Sequence, residues 1–309
     1  MAKNNSNSIA IFGLGRMGSQ IARRLHKKKF NVVAWNRSPE PAKEVAKSGV
    51  YATSNISEAI TKMSKSGRIF WVMLPHGIVD EFLFGKDHLG PHLKKGDIII
   101  DGGNSFYKDS MARAEKLAAK GVHFFDCGTS EGVWGEKNGF ALMVGGDKEK
   151  WPIIEPIMKA LSSGDNFSYL GKAGSGHFTK MVHNGIEYGM MEAIGEGYAV
   201  LKASPFKLNL RDVTRVYREG SVVRSWLIDL VRNIFEHENV EKTIGKIDAT
   251  GEGQWTVEAG EEFGVDVRVL EDALRVREES KDPKNQNKFS NKIVALLRKQ
   301  FGGHAVQGK

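Results

Sequence analysis

The chain has 309 residues, 40% of them hydrophobic and 27% charged, so it can bury the cores of about two ordinary globular domains. Its one cysteine, Cys127, excludes an intrachain disulfide framework and favours a reducing compartment, where we expect it to be a small core residue. The formal net charge of +8 comes from scattered lysines and arginines without a nucleic-acid motif, which favours small anionic ligands over nucleic acid.

Neither a membrane span nor a metal site is expected. No apolar run reaches the roughly 18 residues that a span requires. The first apolar stretch is short and ends in glycines, so we interpret it as a strand rather than a secretion signal and expect a cytoplasmic protein. No cluster of cysteine, histidine or carboxylate residues has metal-ligand spacing.

The first elements predict a dinucleotide-binding βαβ unit. Residues 8–14 are typical of a buried strand, a helix follows the glycine-rich turn, and a second strand runs from Asn31 to Trp35. Glycines in such a turn let backbone N–H groups approach a pyrophosphate at the helix N-terminus. This order of elements is much more specific than the glycines alone. The predicted cofactor contacts here are Gly13, Leu14, Gly15, Arg16, Met17 and Gly18.

The end of the second strand predicts which cofactor is bound. An acidic residue there would hydrogen-bond the ribose 2′-hydroxyl of NAD, but the sequence is Trp35-Asn36-Arg37-Ser38. Arg37 supplies a planar guanidinium suited to a phosphate, and Asn36 and Ser38 can add neutral hydrogen bonds. We therefore expect NADP, with NAD as the less favoured alternative.

The α/β pattern continues through the first half of the chain. Strands are predicted at 68–74, 97–101, 122–126 and 140–145, and the segment near 167–176 is predicted to be a last strand followed by a linker. Helices are expected near 109–120 and after Trp151-Pro152, with a loop over 128–135. Ligands of such folds lie at the carboxyl ends of the strands, so Met73, Leu74 and Asn104 are further expected cofactor contacts.

After about residue 174 the pattern becomes helical. Helices are expected near 209–232, 254–263, 266–279 and 290–300, with a polar loop over 280–290. The sequence therefore predicts an α/β Rossmann-type N-terminal domain over residues 1–173, followed by an all-α C-terminal domain over 174–309. The helical domain is small and would expose apolar surface alone, so we expect association into a dimer or larger assembly.

The stretch from Gly174 to Gly197 is predicted to be a helix with one polar face. Lys180, His183, Asn184, Glu187 and Tyr188 fall at i, i+3, i+4, i+7 and i+8. Apolar residues flank them, so we expect the helix to be buried nearly all round. A buried face with a lysine, a histidine and a glutamate is costly unless it borders a cavity, which indicates a functional site.

These residue types fit a dehydrogenase. Oxidation of an alcohol needs a base for the hydroxyl proton, and burial favours the neutral amine that Lys180 would need. Asn184 and Asn104 are amides suited to a carbinol oxygen and a carboxylate. Glu187 would be a second proton carrier, which simple alcohol oxidation does not require but a later protonation of carbon does.

Four motifs together resemble decarboxylating 6-phosphogluconate dehydrogenase over essentially the whole chain. They are GHFTKMVHNGIEYG, DGGNS, GLGRMG and the terminal RKQFGGH. At this length the chain resembles the short form, which lacks the second helical half of the long form. The glycine loop and the Lys-x-x-x-Asn spacing alone would also fit 3-hydroxyisobutyrate dehydrogenases.

The resemblance implies oxidative decarboxylation of 6-phosphogluconate to ribulose 5-phosphate, a reaction of the pentose phosphate pathway. Lys180 would deprotonate the 3-hydroxyl and then stabilise the enolate-like oxygen, and Glu187 would protonate carbon. It also implies a homodimer or homotetramer in which the tail completes the neighbouring subunit's site. The implied substrate contacts are Asn104, Ser130, Glu131, Gly132, Lys180, His183, Asn184, Glu187, Tyr188, Gln254, Arg275, Arg298 and His304.

Several points depart from the family pattern or stay open. Glu131 stands where the family has glycine, and Gln254 stands where it has a phosphate-contacting cation. Arg275 rests on an ungapped comparison through a poorly matched segment, and Arg277 is the alternative. A simple β-hydroxyacid dehydrogenase and a non-catalytic NADP-binding protein are the competing functions.

Overall fold

An eight-stranded sheet organises the N-terminal part of the computed structural model, which describes residues 8–63, 67–249, 251–306 and 308. The strand order is β3-β2-β1-β4-β5-β6-β7-β8, and the strand pairs are parallel except for β6 with β7. The strands are β1 Ile9–Phe12, β2 Val32–Trp35, β3 Tyr51–Thr53, β4 Ile69–Val72, β5 Ile98–Asp101, β6 His123–Ser130, β7 Phe140–Gly146 and β8 Ser162–Gly171.

Two apolar layers cover the faces of this sheet, because successive side chains of each buried strand point in opposite directions. In β1, Ile9 and Ile11 join one layer, while Ala10 and Phe12 join the other. The helices of this unit are α1 Arg16–Lys27, α2 Pro39–Ala46, α3 Ile56–Thr61, α4 His76–Phe84, α5 Tyr107–Ala118, α6 Gly135–Asn138 and α7 Trp151–Leu161.

The strand order reverses at β1, which lies between β2 and β4. In an open α/β sheet, ligands bind at the carboxyl ends of the strands where such a reversal opens a crevice. The carboxyl ends of β1 and β4 are therefore the expected nucleotide edge. The predicted Rossmann-type N-terminal domain is confirmed, although the three-residue β3 and the helices α2 to α4 were not anticipated from the sequence.

Helices make up the C-terminal unit, and the chain divides between Lys180 and Met181. The sequence-predicted domain boundary, after residue 173, immediately precedes α8. The core of this unit includes Tyr198, Val231 and Val294. Its helices are α8 Ser175–Ala203, which begins in the first unit, α9 Leu210–Arg218, α10 Trp226–His237, α11 Glu252–Glu262, α12 Arg268–Glu279 and α13 Phe289–Gly302. Within the described residues, none of the helices combines the length and the apolar character that crossing a membrane requires.

The region expected to be helical over 209–232 contains two helices, α9 and α10. Gly220, just beyond α9, has a φ of +78°, which does not continue a right-handed helix. The new helix begins after Ser225, whose side chain accepts a hydrogen bond from the backbone N–H of Ile228. The break therefore comes from local turn and capping chemistry that the apolar period did not reveal.

Two further expectations were wrong in detail. Strand β6 continues through Gly128 to Ser130, where we expected a loop, because Thr129 and Ser130 pair with Leu142 and Ala141 of β7. Strand β8 begins at Ser162 rather than near 167 and ends at Gly171.

Helix α8 is not buried nearly all round in the single chain. Ile186 is 53% exposed and Met190 is 42% exposed. The polar face predicted on this helix is the better-buried one at Lys180, Asn184 and Tyr188. The apolar positions around it are thus not all core positions of this chain.

Candidate active site

The glycine-rich turn between β1 and α1 is shaped by close backbone packing. Gly13 has a φ of +98°, and a methyl group there would lie 2.4 Å from the carbonyl oxygen of Met73. A methyl group on Gly18 would lie 1.9 Å from the carbonyl oxygen of Gly13. Gly15 instead has no heavy atom within 4 Å on its open side. The turn is therefore tight at both ends and leaves space at the N-terminus of α1.

This edge fits a dinucleotide. The first turn of α1 contains no acidic residue, so its free N–H groups and partial positive charge favour a pyrophosphate. Asn36 ties the turn to the end of β2, because its Oδ1 accepts a hydrogen bond of 2.9 Å from the N–H of Leu14. Arg37 and Ser38 follow as exposed side chains. Of the other predicted contacts, Gly15, Arg16 and Asn104 are exposed, Met17, Met73 and Leu74 are half-buried, and Leu14 is buried.

The turn after β5 is braced by a buried carboxylate. Asp101 accepts hydrogen bonds from Ser105 Oγ at 2.7 Å and from the N–H of Gly103 at 3.2 Å. Its Oδ2 also lies 3.1 Å from Nη1 of the buried Arg113. These contacts hold the turn on both sides of Asn104, whose exposed side chain lies at the same edge of the sheet as the glycine-rich turn.

The start of α8 is fixed by Asp126 of β6. Its two carboxylate oxygens accept hydrogen bonds of 2.7 Å from the N–H groups of Gly174 and His177. A carboxylate there satisfies free helix donors and complements the positive end of the helix. Gly176 then packs directly on the sheet, because a methyl group on it would lie 2.5 Å from the carbonyl oxygens of Asp126 and Met143.

This docking places Lys180 against β6. A methyl group on Gly128 would lie 2.3 Å from Cβ of Lys180, so the lysine stem covers that glycine. Lys180 is 7% exposed. This packing holds the first carbons of the lysine side chain against the sheet, and a catalytic base likewise needs a defined position.

The predicted polar face of α8 is present. Asn184 and Tyr188 are buried, whereas the side chains of His183 and Glu187 are 37% and 22% exposed. Nδ1 of His183 lies 3.0 Å from Oδ1 of Asn184 and 4.0 Å from Oε2 of Glu187. The helix therefore carries an amine, an imidazole, an amide and a carboxyl group within three turns.

A buried cationic cluster surrounds Tyr188 in the C-terminal unit. The guanidinium carbon of Arg277 lies 3.2 Å from the centroid of the Tyr188 ring. Arg298 of α13 is also buried and interacts electrostatically with Tyr188 and Glu187. Burial lowers the pKa of both arginines, because a guanidinium that is removed from water loses hydration of its charged form. His304 contacts the backbone of this cluster, since its Nδ1 lies 2.9 Å from the carbonyl oxygen of Arg298.

The structure does not bring Arg275 or Gln254 into this cluster. The Arg275 side chain is 67% exposed, and its guanidinium pairs with Asp272 at 2.8 Å. Gln254 is exposed on α11, where its amide donates to Glu258 at 3.2 Å. Arg277, the alternative to Arg275, is the α12 arginine that lies beside Tyr188.

Glu131 occupies a backbone conformation that favours glycine. Its φ is +117°, which is strained for a residue with a side chain. Its Oε1 accepts a hydrogen bond of 3.1 Å from Asn138. The neighbouring Ser130 ends β6, and Gly132 begins a short 3-10 helix, Gly132–Trp134. The carboxylate that departs from the family pattern is thus hydrogen-bonded to α6.

Sequence reasoning missed Asp126, Gly128 and Glu192. Glu192 lies one turn beyond Tyr188 at i+4, so extending the helical period by one more turn would have found it. Asp126 and Gly128 act through contacts with a helix about fifty residues later in the chain, and no local pattern reports such contacts.

Comparison with known proteins gives matches over both units. The model of the NAD binding domain of 6-phosphogluconate dehydrogenase matches residues 8–171. The model of the 6-phosphogluconate dehydrogenase C-terminal domain matches residues 176–306. These two ranges together span nearly the whole chain.

Relatives and a solved structure agree with these matches. The chain is 41% identical over 302 residues to Bacillus subtilis YqeC, provisionally named a 6-phosphogluconate dehydrogenase, covering 97% of this chain and 99% of the relative. It is 36% identical over 307 residues to the NAD(+)-dependent, decarboxylating 6-phosphogluconate dehydrogenase of Haloferax volcanii, again covering 97% and 99%. Plasmodium falciparum 6-phosphogluconate dehydrogenase, solved in its apo form and with its cofactor NADP+ or its substrate 6-phosphogluconate, matches with a TM-score of 0.81 and 29% identity. That match covers 94% of this chain and 70% of that chain.

Gly128→Ala is expected to displace Lys180, because the new methyl group would overlap the lysine stem. We expect kcat for substrate-dependent cofactor reduction to fall about tenfold to a hundredfold, with little change in cofactor affinity. Steady-state kinetics and cofactor titration measure the two quantities. Gly197→Ala is the control. Gly197 lies in α8, the helix that carries Lys180, and a methyl group there would have no heavy atom within 4 Å. An unchanged kcat in Gly128→Ala would show that this contact does not position the amine.

Proposed function

The chain belongs to the 6-phosphogluconate dehydrogenase family, and we propose that it converts 6-phosphogluconate and NADP to ribulose 5-phosphate, CO2 and NADPH. The family resemblance read from the four sequence motifs is thereby confirmed. The observation that carries the proposed reaction is the polar face of α8, where a buried lysine is followed two turns later by a partly exposed glutamate. A single dehydrogenation needs one proton carrier, whereas oxidation followed by decarboxylation needs two.

In the proposed reaction Lys180 is the base. Its amine removes the proton of the 3-hydroxyl group. A bound NADP would supply the acceptor for the hydride that leaves C3. The 3-keto acid then loses CO2, and the protonated Lys180 stabilises the negative charge that remains on the enolate oxygen. The tight packing of the first carbons of the Lys180 side chain on Gly128 supports this role, because it holds the base of that side chain against β6.

Glu187 completes the proposed reaction as an acid. It delivers a proton to C1 of the enediol, which gives ribulose 5-phosphate. Its carboxyl group lies 4.0 Å from Nδ1 of His183. Asn184, Asn104 and Ser130 are proposed to orient the hydroxyl groups and the carboxylate of the substrate.

We assign the phosphate of the substrate to the cluster around Tyr188. Arg277 and Arg298 are buried cations, and a guanidinium matches the geometry of phosphate oxygens. His304, which contacts the backbone of Arg298, is proposed to add a further polar group. Arg277 replaces Arg275 in this assignment, because Arg275 pairs with Asp272 on the exposed side of α12.

The cofactor is proposed to be NADP. The family includes relatives named for NAD, such as the one from Haloferax volcanii, so membership alone does not choose between the two. The local support is Arg37, an exposed guanidinium at the end of β2 where no carboxylate is present to bind a ribose hydroxyl.

A homodimer or homotetramer is proposed as the assembly, and the exposed Ile186 and Met190 of α8 support a further buried surface. The tail was expected to complete the neighbouring subunit's site, but Arg298, with His304 on its carbonyl oxygen, interacts with Tyr188 of its own chain, so the proposed phosphate site lies within one chain.

The deciding experiment supplies 6-phosphogluconate and NADP and follows both NADPH absorbance and CO2 release. We expect equal amounts of the two products, because each oxidised substrate loses one carboxylate. Reduction of NADP only with unphosphorylated β-hydroxyacids, without CO2, would instead identify a simple dehydrogenase. Binding of NADP without turnover of either substrate class would identify a non-catalytic protein.

Lys180→Met tests the assignment of the base within that assay. The variant keeps an aliphatic stem over Gly128 but lacks the amine, so we expect loss of hydride transfer with cofactor affinity retained within about tenfold. Retention of most of the wild-type rate would refute the assignment.

Arg37→Ala tests the cofactor assignment. Removing the guanidinium should raise the KM for NADP about tenfold or more and leave the KM for NAD nearly unchanged, because only NADP carries the 2′-phosphate. Steady-state kinetics with each cofactor measures this difference. Lys43→Ala removes an exposed cation of α2 and serves as the control. A wild-type preference for NAD, or equal effects of Arg37→Ala on both cofactors, would contradict the assignment.

A further inference from the structure

Glu192 is a buried carboxyl group that the proposed reaction does not use. It lies on α8 one turn beyond Tyr188 and is 6% exposed. Its Oε1 lies 3.3 Å from Nε of Arg277, so the two side chains form a buried ion pair between α8 and α12. Burial of a carboxyl group costs free energy unless the group is paired, and Arg277 provides that pairing.

The contact with Glu192 uses only the Nε donor of Arg277. Glu192 engages Nε, and the flat face of the guanidinium lies over the Tyr188 ring. Within the part of the chain that the structure describes, the buried Nη1 and Nη2 of Arg277 have no hydrogen-bond partner. These two nitrogens form the fork with which a guanidinium binds two oxygens of one anion. The geometry therefore points to an oxyanion at Nη1 and Nη2.

Charges of both signs act on the Glu192 carboxyl group. Arg277 of α12 and Arg298 of α13 favour its ionised form, whereas Glu196 of α8 disfavours it. Burial is the largest effect and raises the pKa of Glu192 to about 7. The carboxyl group is thus partly protonated near neutral pH, and a small change in nearby charge shifts that fraction.

We propose that Glu192 is a positioning residue of the phosphate site, holding Arg277 by Nε so that Nη1 and Nη2 meet the phosphate, and that it takes up a proton from solvent when the phosphate binds. The second part follows from electrostatics, because a dianion beside a carboxylate favours the neutral acid. A protonated Glu192 still has a carbonyl oxygen that can accept from Nε, so Arg277 stays oriented. This inference rests on the proposed function for the identity of the ligand.

The pH dependence has a definite sign. Phosphate binding coupled to proton uptake weakens as pH rises through the range in which free Glu192 loses its proton. Between pH 6 and 8 we expect the Kd of wild type for 6-phosphogluconate to rise roughly fivefold more than that of Glu192→Gln. The glutamine keeps an acceptor for Nε but cannot titrate. Protonation of the ligand itself is common to both proteins and cancels in the comparison.

The experiment is calorimetric titration of the full-length protein with 6-phosphogluconate, in pairs of buffers that differ in ionisation enthalpy. Wild type is expected to take up a larger fraction of a proton per ligand than Glu192→Gln. Glu271→Gln removes an exposed carboxylate of α12, the helix that carries Arg277, and is the control that should behave as wild type. Equal proton uptake in wild type and Glu192→Gln would overturn the proton-linkage part.

The positioning part is tested with Glu192→Leu. Loss of the acceptor should lower the affinity for 6-phosphogluconate about tenfold and leave the affinities for unphosphorylated gluconate and for NADP nearly unchanged. Glu192→Gln, which keeps an acceptor, should retain the affinity for 6-phosphogluconate. A purely structural role would lower all three affinities together. Unchanged binding of 6-phosphogluconate by Glu192→Leu would overturn the assignment.

Inorganic phosphate, titrated in the same way, separates this inference from the proposed function. If wild type neither binds nor converts 6-phosphogluconate, the proposed function fails. A phosphate affinity that depends on Glu192 would still support the anion site in that case. Phosphate and 6-phosphogluconate affinities that are both independent of Glu192 would overturn the inference, whether or not the enzyme turns over.

Discussion

The close contact between the first turns of α8 and strands β6 and β7 is the constraint on which the proposed chemistry depends. Asp126 anchors the helix N-terminus through two 2.7 Å hydrogen bonds, and Gly176 lets the helix backbone reach the sheet. Gly128 then receives the stem of Lys180. Side chains at these glycines would push the helix outward, so the close approach of the Lys180 stem to the sheet depends on the absence of two methyl groups.

Several buried charged side chains lie on α8 or close to its residue Tyr188. Burial of a charged group costs free energy relative to exposure to water. This applies to Lys180, Glu192, Arg277 and Arg298. The two Nη nitrogens of Arg277 remain without a hydrogen-bond partner among the described residues, and a protein with no ligand to bind would gain by satisfying them. In the proposed phosphate site, oxygens of the substrate would supply partners for these two nitrogens.

The backbone at the nucleotide edge of the sheet does not by itself distinguish NAD from NADP. The reversal of strand order at β1 and the open side of Gly15 suit either dinucleotide. Asn36 is committed to the glycine-rich turn through the N–H of Leu14, which leaves Arg37 as the charged group beside it. In the proposed assignment, the choice between NAD and NADP therefore depends on the loop after β2.

The sequence by itself determined the glycine-rich turn, the α/β-to-helical change and the polar face of α8, because each depends on spacing within one element or between neighbours. Only the tertiary structure separated Arg277 from Arg275, two positions on one helix whose side chains point in different directions. It also decided that Ile186 is exposed, that Glu192 pairs with Arg277, and that Asp126 holds α8. Periodicity fixes which residues share a face, but what that face meets depends on contacts with segments far away in the chain.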